Sequence, residues 1–294
     1  MQNTLDLSIK KHEIGTIDGA FIIGENMKSY QSYMNNSAWN DFVDTMKKDF
    51  HFAYDEYNKG SGGELTPKGH FPPKMASYGS SSRMIYNLCK DIPNFHFEYQ
   101  LPTKVGGIAN LDGFIKKDNR YVFIEAKCRE PYGIKSHLID NKYKTLYEYI
   151  NNDKSCNLNI HTEGAGSKMD VTFYVDNNTI TCFDIKQMIC HLLGIAVKFL
   201  SNPTKEKISF LYLCYNPKLI EIINKKKKEK IYFTYDQMCE ECNAIDFHKL
   251  FEIILRFLSQ ELNIGQATEN EISDMISNFD FSLCDQSNYM NYLN

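Results

Sequence analysis

No apolar run in the sequence reaches the roughly 20 residues that a helical membrane span requires; the longest, Ile189 to Leu200, is broken by His191 and Lys198. No membrane partner is therefore expected. Paired cysteine spacings are missing too. The nine cysteines stand singly and no secretory leader precedes them, so reduced thiols and a cytoplasmic setting are expected. Cys239 and Cys242 form one C-x-x-C with no second pair beside it, which removes a structural zinc site and leaves two helix cysteines. A phosphate-cradling loop is lacking, because Gly60-Ser-Gly-Gly63 has no strand before it and no Lys-Ser/Thr after it. Nor is there an internal repeat or long low-complexity tract, which sets aside solenoids and disordered chains.

A net basic charge is also absent. The formal charge is −4, which taken alone argues against a polyanionic partner. The distribution argues otherwise. From Leu65 to Lys90 there are four basic residues and no acidic one, and between Lys104 and Lys154 ten Lys or Arg face seven Asp or Glu. A chain that gathers carboxylates around a cation can be acidic overall and still present a basic groove.

What is present is a chain of 294 residues, 43% hydrophobic and 13% aromatic, enough to bury a large core. Residues 1–74 read as an N-terminal extension with a helix from Ala38 to Phe50 and a loop after it. The stretch Lys59-Gly-Ser-Gly-Gly63, Thr66-Pro67 and Pro72-Pro73 separates this extension from a helix over Met75 to Cys89. Strands are expected at Phe95 to Leu101, Ile108 to Lys116 and Arg120 to Lys127, the last two joined by the turn Lys117-Asp118-Asn119. A helix over Lys142 to Asn151, a strand or hairpin over Asp170 to Cys182, a strong helix over Asp184 to Ser201 and a strand over Lys207 to Tyr215 follow. Residues 217–294 read as a mainly helical C-terminal extension packed on the 75–216 core, with Phe247, Leu250, Phe251, Ile254 and Leu258 at amphipathic spacing.

Period-two alternation along Arg120-Tyr-Val-Phe-Ile-Glu-Ala-Lys127 puts Phe123, Glu125 and Lys127 on one face and Val122, Ile124 and Ala126 on the other. Two ionisable side chains at the end of an apolar strand are costly to bury unless a partner or a metal compensates. Asp112, in Leu111-Asp-Gly-Phe-Ile115 on the preceding strand, is within a hairpin's reach of Glu125. Two such carboxylates suit a hard, oxygen-seeking divalent cation. The tripeptide pattern alone is weak: it recurs at Asp140-Asn-Lys142 and Asp184-Ile-Lys186, both at helix starts or loops.

With Asp112, Glu125-Ala-Lys127 and the order helix, three strands, helix, strand, residues 75 to 216 resemble the PD-(D/E)xK, or restriction-endonuclease-like, nuclease superfamily. Leu111 stands where the family's pattern has proline, a common departure that removes only its least informative letter. The resemblance implies an α/β fold with an αβββαβ core, a central mixed sheet flanked by helices, and helical N- and C-terminal additions. It implies hydrolysis of phosphodiester bonds with Mg²⁺, for which Mn²⁺ substitutes. Asp112 and Glu125 would be metal ligands and Lys127 catalytic. DNA is expected ahead of RNA, a restriction or defence role is the natural expectation, and a homodimer suits double-strand cutting. The alternative is an inactive nucleic-acid-binding or regulatory module of the same fold, against which the intact Asp, Glu and Lys count.

Further residues join the expected site. On the first strand Phe95, Phe97 and Tyr99 take one face and His96, Glu98 and Gln100 the other, making Glu98 a candidate additional acid; Glu64 is a second. Gln187 and His191 share a helix face at i, i+4. Gln187 resembles a glutamine that several superfamily branches hold near the site; equally, Asp184 and Gln187 have the spacing of a capping box. Ser82 and Arg83 at the first helix, Lys104 before the Asp112 strand, and Arg129 are the expected nucleic-acid contacts. The basic run Lys225 to Lys230 reads as a solvated loop or a second contact.

Overall fold

Alternating apolar segments in the middle of the chain pair into one central sheet, and the helices with apolar stripes cover it on both sides. The computed structural model describes residues 16–17, 20–23, 34, 36–60, 63–67, 73–77, 79–128, 137–164, 166–215, 221–224, 229–231, 235–265 and 267–293. In chain order the elements are β1 (Thr16–Ile17), β2 (Ala20–Ile23), α1 (Asn36–Asp49), α2 (His51–Lys59), α3 (Ser81–Cys89), β3 (Phe95–Pro102), β4 (Ile108–Lys117), β5 (Arg120–Lys127) and β6 (His137–Asp140). Next come α4 (Lys144–Asp153), β7 (Leu158–Glu163), β8 (Lys168–Val175), β9 (Asn178–Thr179), α5 (Ile185–Ser201), β10 (Lys207–Cys214), β11 (Glu221–Asn224) and β12 (Glu229–Ile231). The chain closes with α6 (Tyr235–Asn243), α7 (Phe247–Arg256), α8 (Glu269–Ser277), β13 (Phe279–Asp285) and α9 (Met290–Leu293).

The fold is mixed α/β. The central sheet runs β13-β10-β5-β4-β3, with β3, β4 and β5 antiparallel and β10 parallel to both β5 and β13. One face packs on α1, α2 and α3 through Tyr57, Ile85, Phe95, Phe97, Val122 and Ile124. The other packs on α5 through Leu101, Leu111, Phe114, Phe123 and Phe210. Two smaller sheets, β6-β8-β7 and β1-β2-β11-β12, stand apart from it in hydrogen bonding.

The ladder of β3, β4 and β5 breaks in one cross-strand row. Phe97 pairs with Gly113 and Tyr99 with Leu111, but the β3–β4 register skips Glu98 and Asp112 between them. Gly113 pairs with Ile124, and the β4–β5 register stops there, so Asp112 and Glu125, one step further, do not face each other in it, while Glu125 keeps Tyr212 of β10 on its other side. Glu98 has a φ of +49°, sparsely populated for a residue with a side chain. Because side chains alternate along a strand, one aberrant residue exchanges the faces of everything beyond it. Phe95 and Phe97 therefore face α2 and α3, whereas Tyr99 and Leu101 join the α5 side. The expectation that Phe95, Phe97 and Tyr99 share a face is corrected by this kink.

Other differences have local causes. The helix expected over Met75 to Cys89 begins at Ser81, because Ser80 caps it by accepting from the Arg83 N–H; a single 3₁₀ turn, Lys74–Ala76, precedes it. The segment His51 to Lys59, expected as loop, is α2, and its buried Ala53 and Tyr57 pack on the sheet. The tail is not simply helical: Phe279–Asp285 alternates and adds β13 to the sheet edge.

Helix α5 is buried nearly all round, as expected of a helix sandwiched between layers. Gly194 sets how close it comes. A Cβ there would meet the Cβ atoms of Leu101 and Ala109 at 2.8 and 2.9 Å. Alanine improves helix propensity over glycine by up to about 1 kcal/mol, but overpacking a tight interface costs about 1–3 kcal/mol. Gly194→Ala is therefore expected to lower the urea midpoint of unfolding, and a raised midpoint would show that the α5–sheet gap opens freely.

Candidate active site

The carboxyl end of β5 brings two ionisable groups under α5. Glu125 is 1% and Lys127 5% exposed. Lys127 Nζ donates to Glu125 Oε1 at 2.6 Å and to Gln187 Oε1, from the first turn of α5, at 2.5 Å. One turn along, His191, 1% exposed, brings Nε2 to 2.9 Å from Glu125 Oε2. That approach is close but lies off the hydrogen-bonding line, so Glu125 Oε2 and both imidazole nitrogens are buried without a hydrogen bond. Burial raises the Glu125 carboxyl, yet the Lys127 ammonium and His191 outweigh it and hold the group below the ordinary glutamate range.

Gln187 is where two readings of the sequence met. Asp184 does cap α5, accepting from the Gln187 backbone N–H at 3.2 Å. The Gln187 side chain does not complete a capping box; its amide oxygen goes to Lys127. The turn ahead of α5 is held by Glu241 of α6, whose carboxylate accepts from the backbone N–H groups of Thr181, Cys182 and Phe183 at 3.0, 2.7 and 2.8 Å.

Asp112 lies on the other side of the broken ladder. Its Oδ2 accepts from the Ala126 N–H at 2.8 Å, taking the place of a strand-to-strand bond. Burial first, and then the negative charge of Glu125, push its carboxyl well above the ordinary aspartate range, against the opposing pull of Lys127. Glu98 and Glu64 continue the acidic row toward α3. Ser82 Oγ donates to Glu64 Oε2 at 2.9 Å and lies 3.5 Å from Glu98 Oε1, and Lys74 bonds to Glu64 Oε1. Burial, then the charges of Glu98 and Asp112 with Glu64, drive the Tyr57 phenol well up, so these acids share one electrostatic neighbourhood.

Asp112, Glu125, Lys127, Glu98 and Gln187 thus converge on one end of the central sheet. Of the four residues assigned to nucleic-acid contacts, three lie among the described residues. Ser82 and Arg83 are only 8% and 7% exposed, and Arg83 packs its guanidinium over the Phe42 ring, so their reading as outward phosphate contacts is corrected: the serine braces Glu64 and the arginine is part of a packed layer. Lys104 is exposed in the β3–β4 loop. Arg129 lies outside the described residues, as do Lys225 to Lys228 of the basic run. Lys74 was legible only as a basic residue near the first helix; its bond to Glu64 crosses a loop for which the sequence carries no periodic signal.

Among the described residues, no group of three or more His, Cys, Asp and Glu side chains is arranged to hold a metal ion by itself. Asp112 and Glu125 nonetheless suit a hard divalent cation. They are oxygen donors that repel one another, and Glu125 Oε2 is buried without a hydrogen bond. Mg²⁺ commonly uses one or two carboxylates and completes its shell with water and substrate oxygens. None of the nine cysteines is in a disulfide, and no helix among the described residues is long and apolar enough to cross a membrane. The chain matches no protein-family model, no curated protein and no solved structure.

Two substitutions should move stability in opposite directions. The folded Asp112 carboxyl binds its proton more tightly than the unfolded one, so stability falls as pH rises from the ordinary aspartate range through the raised folded value. Asn keeps an acceptor for the Ala126 N–H and removes the charge. In metal-free buffer at pH 7, Asp112→Asn is expected to gain on the order of 1 kcal/mol in chemical denaturation. Lys127→Ala strands Glu125 and is expected to lose about 3–5 kcal/mol. Equal stabilities in all three proteins would contradict this electrostatic account.

Proposed function

We propose that the chain is a magnesium-dependent nuclease of the PD-(D/E)xK type that hydrolyses phosphodiester bonds in DNA, with α3-β3-β4-β5-α5-β10 as a restriction-endonuclease-like core. The observation that supports this most is the buried Lys127–Glu125 contact, set in the row where Asp112 has left the β4–β5 ladder. Burying such a set has no advantage for folding, since apolar residues of similar size are commonly as stable or more so. Carboxylates with shifted pKa values at the carboxyl end of a central strand point to chemistry.

Asp112 and Glu125 would hold the cation. Mg²⁺, or Mn²⁺ in its place, would supply a Lewis acid and lower the pKa of a bound water when present. Lys127 provides a fixed positive charge for the negative charge that grows on the phosphoryl oxygens. Gln187 limits where that ammonium can sit, and His191 limits the rotation of Glu125; both act through other residues and are positioning residues. Glu98 and Glu64 add negative charge that raises the demand for a cation in the row.

Incubation of plasmid, linear duplex, single-stranded DNA and RNA with Mg²⁺ or Mn²⁺ tests the reading. Cutting is expected with wild type and lost by at least about 10²-fold in Asp112→Asn and Lys127→Ala. Asp112→Asn is the decisive variant, because it is expected to be more stable than wild type and so cannot lose activity by unfolding. No cutting of any substrate, with no heat of Mg²⁺ or Mn²⁺ binding by calorimetry, would leave a binding module instead.

A further inference from the structure

A cavity of about 250 Å³ opens beside the first two turns of α5, lined by Tyr143, Tyr147, Asp184, Lys186, Gln187 and Cys190. It shares one residue with the site: the Gln187 amide oxygen accepts from Lys127 at 2.5 Å, so what this side chain can offer the cavity is its amide N–H donors. The half-buried Tyr143 ring is the aromatic wall; the buried Tyr147 ring packs 6.2 Å from it at 22°, and the contact of Tyr143 Oη with Cys190 Sγ at 4.0 Å ties it to α5. The volume is well above that of a few waters and just under the roughly 300–1,000 Å³ of clefts that take drug-sized ligands. It suits a single flat ring system. A second cavity, of about 400 Å³, is walled in part by Asp176, Glu240 and Glu241, carboxylates that repel a polyanion.

We infer that the cavity beside Gln187 receives one unstacked nucleobase of the nucleic acid whose phosphate lies at Lys127. The inference rests on the nuclease reading and adds a substrate class to it. An aromatic wall accepts the face of a base, and amide, ammonium and carboxylate groups at the same cavity can meet the donors and acceptors of its edge. A base inside a duplex is stacked on both sides and must be turned out before it can enter, at a cost that is least for single-stranded or unpaired nucleotides. The substrate is then single-stranded nucleic acid, or the unpaired nucleotides of a duplex.

The test measures binding of the full chain, in Ca²⁺, to a twelve-residue oligothymidylate and to an abasic strand of the same length and charge, with Mg²⁺-dependent cutting assayed in parallel. Wild type is expected to bind the base-bearing strand at least tenfold more tightly, and Cys190→Leu, which fills the cavity, should abolish that difference. Tyr143→Ala, which removes the wall, should do the same and guards against misfolding of either variant. Equal affinity for both strands, or a preference unchanged in both variants, overturns the base pocket. Cutting together with equal affinities would leave the nuclease standing without the pocket; base preference without cutting would keep the pocket and remove the nuclease.

Discussion

The interaction on which the rest depends is the contact between the Lys127 ammonium and the Glu125 carboxylate beneath α5. Two charges at that depth lose several kcal/mol of hydration each, and their attraction repays this only when the remaining lone pairs and protons are also met. Gln187 accepts from the ammonium, and His191 stands 2.9 Å from the second carboxylate oxygen without a hydrogen bond, so α5 has to lie at one height and one rotation over β5. The absence of a side chain at Gly194, the Asp184 cap and the grip of Glu241 on the turn before the helix all bear on that placement. A pair that looks local on one strand is thereby a constraint on three layers of the molecule.

The broken row of the sheet is the counterpart. A regular ladder at Glu98, Asp112 and Glu125 would tie all three backbones to each other and send neighbouring side chains to alternate faces. The left-handed backbone at Glu98 and the Asp112–Ala126 bond replace that regularity with a local opening in which carboxylates from three adjacent strands lie in one neighbourhood. Backbone strain of this kind persists where surrounding packing over-determines it. Here the aromatic layer does so: Phe95 and Phe97 below the kink, and Tyr99 stacked on Phe114 at 4.2 Å above it.

Much of the central sheet was legible because strand periodicity is strong there: β5 spans the expected Arg120 to Lys127, and the α5 and β10 boundaries lie within a residue of those read. The facing of Glu125 and Lys127 followed from the same alternation. The switch of faces at Glu98 was not legible, since a positive φ at a glutamate leaves no mark in composition. The fate of Ser82 and Arg83 was hidden for a related reason. Hydroxyl and guanidinium groups at a helix start read alike whether they meet solvent or a buried acid such as Glu64, and only the tertiary packing separates the two. For Gln187 the sequence held two readings, a capping box with Asp184 and a place near the site, and the side-chain partner that separates them, Lys127, lies sixty residues away.

The C-terminal strand has a consequence for how the molecule can be divided. β10 is buried along nearly its whole length and would be the outermost strand of the sheet if the chain ended at Cys214; β13 pairs with all but its first residue, from Ile208 onward. A fragment trimmed to the segment from α3 to β10 would expose an apolar row with open backbone donors and acceptors, the template for edge-to-edge association. Strand β13 is thus a lid on self-recognition, and minimal fragments of this protein should be sought by shortening loops instead of by trimming its end.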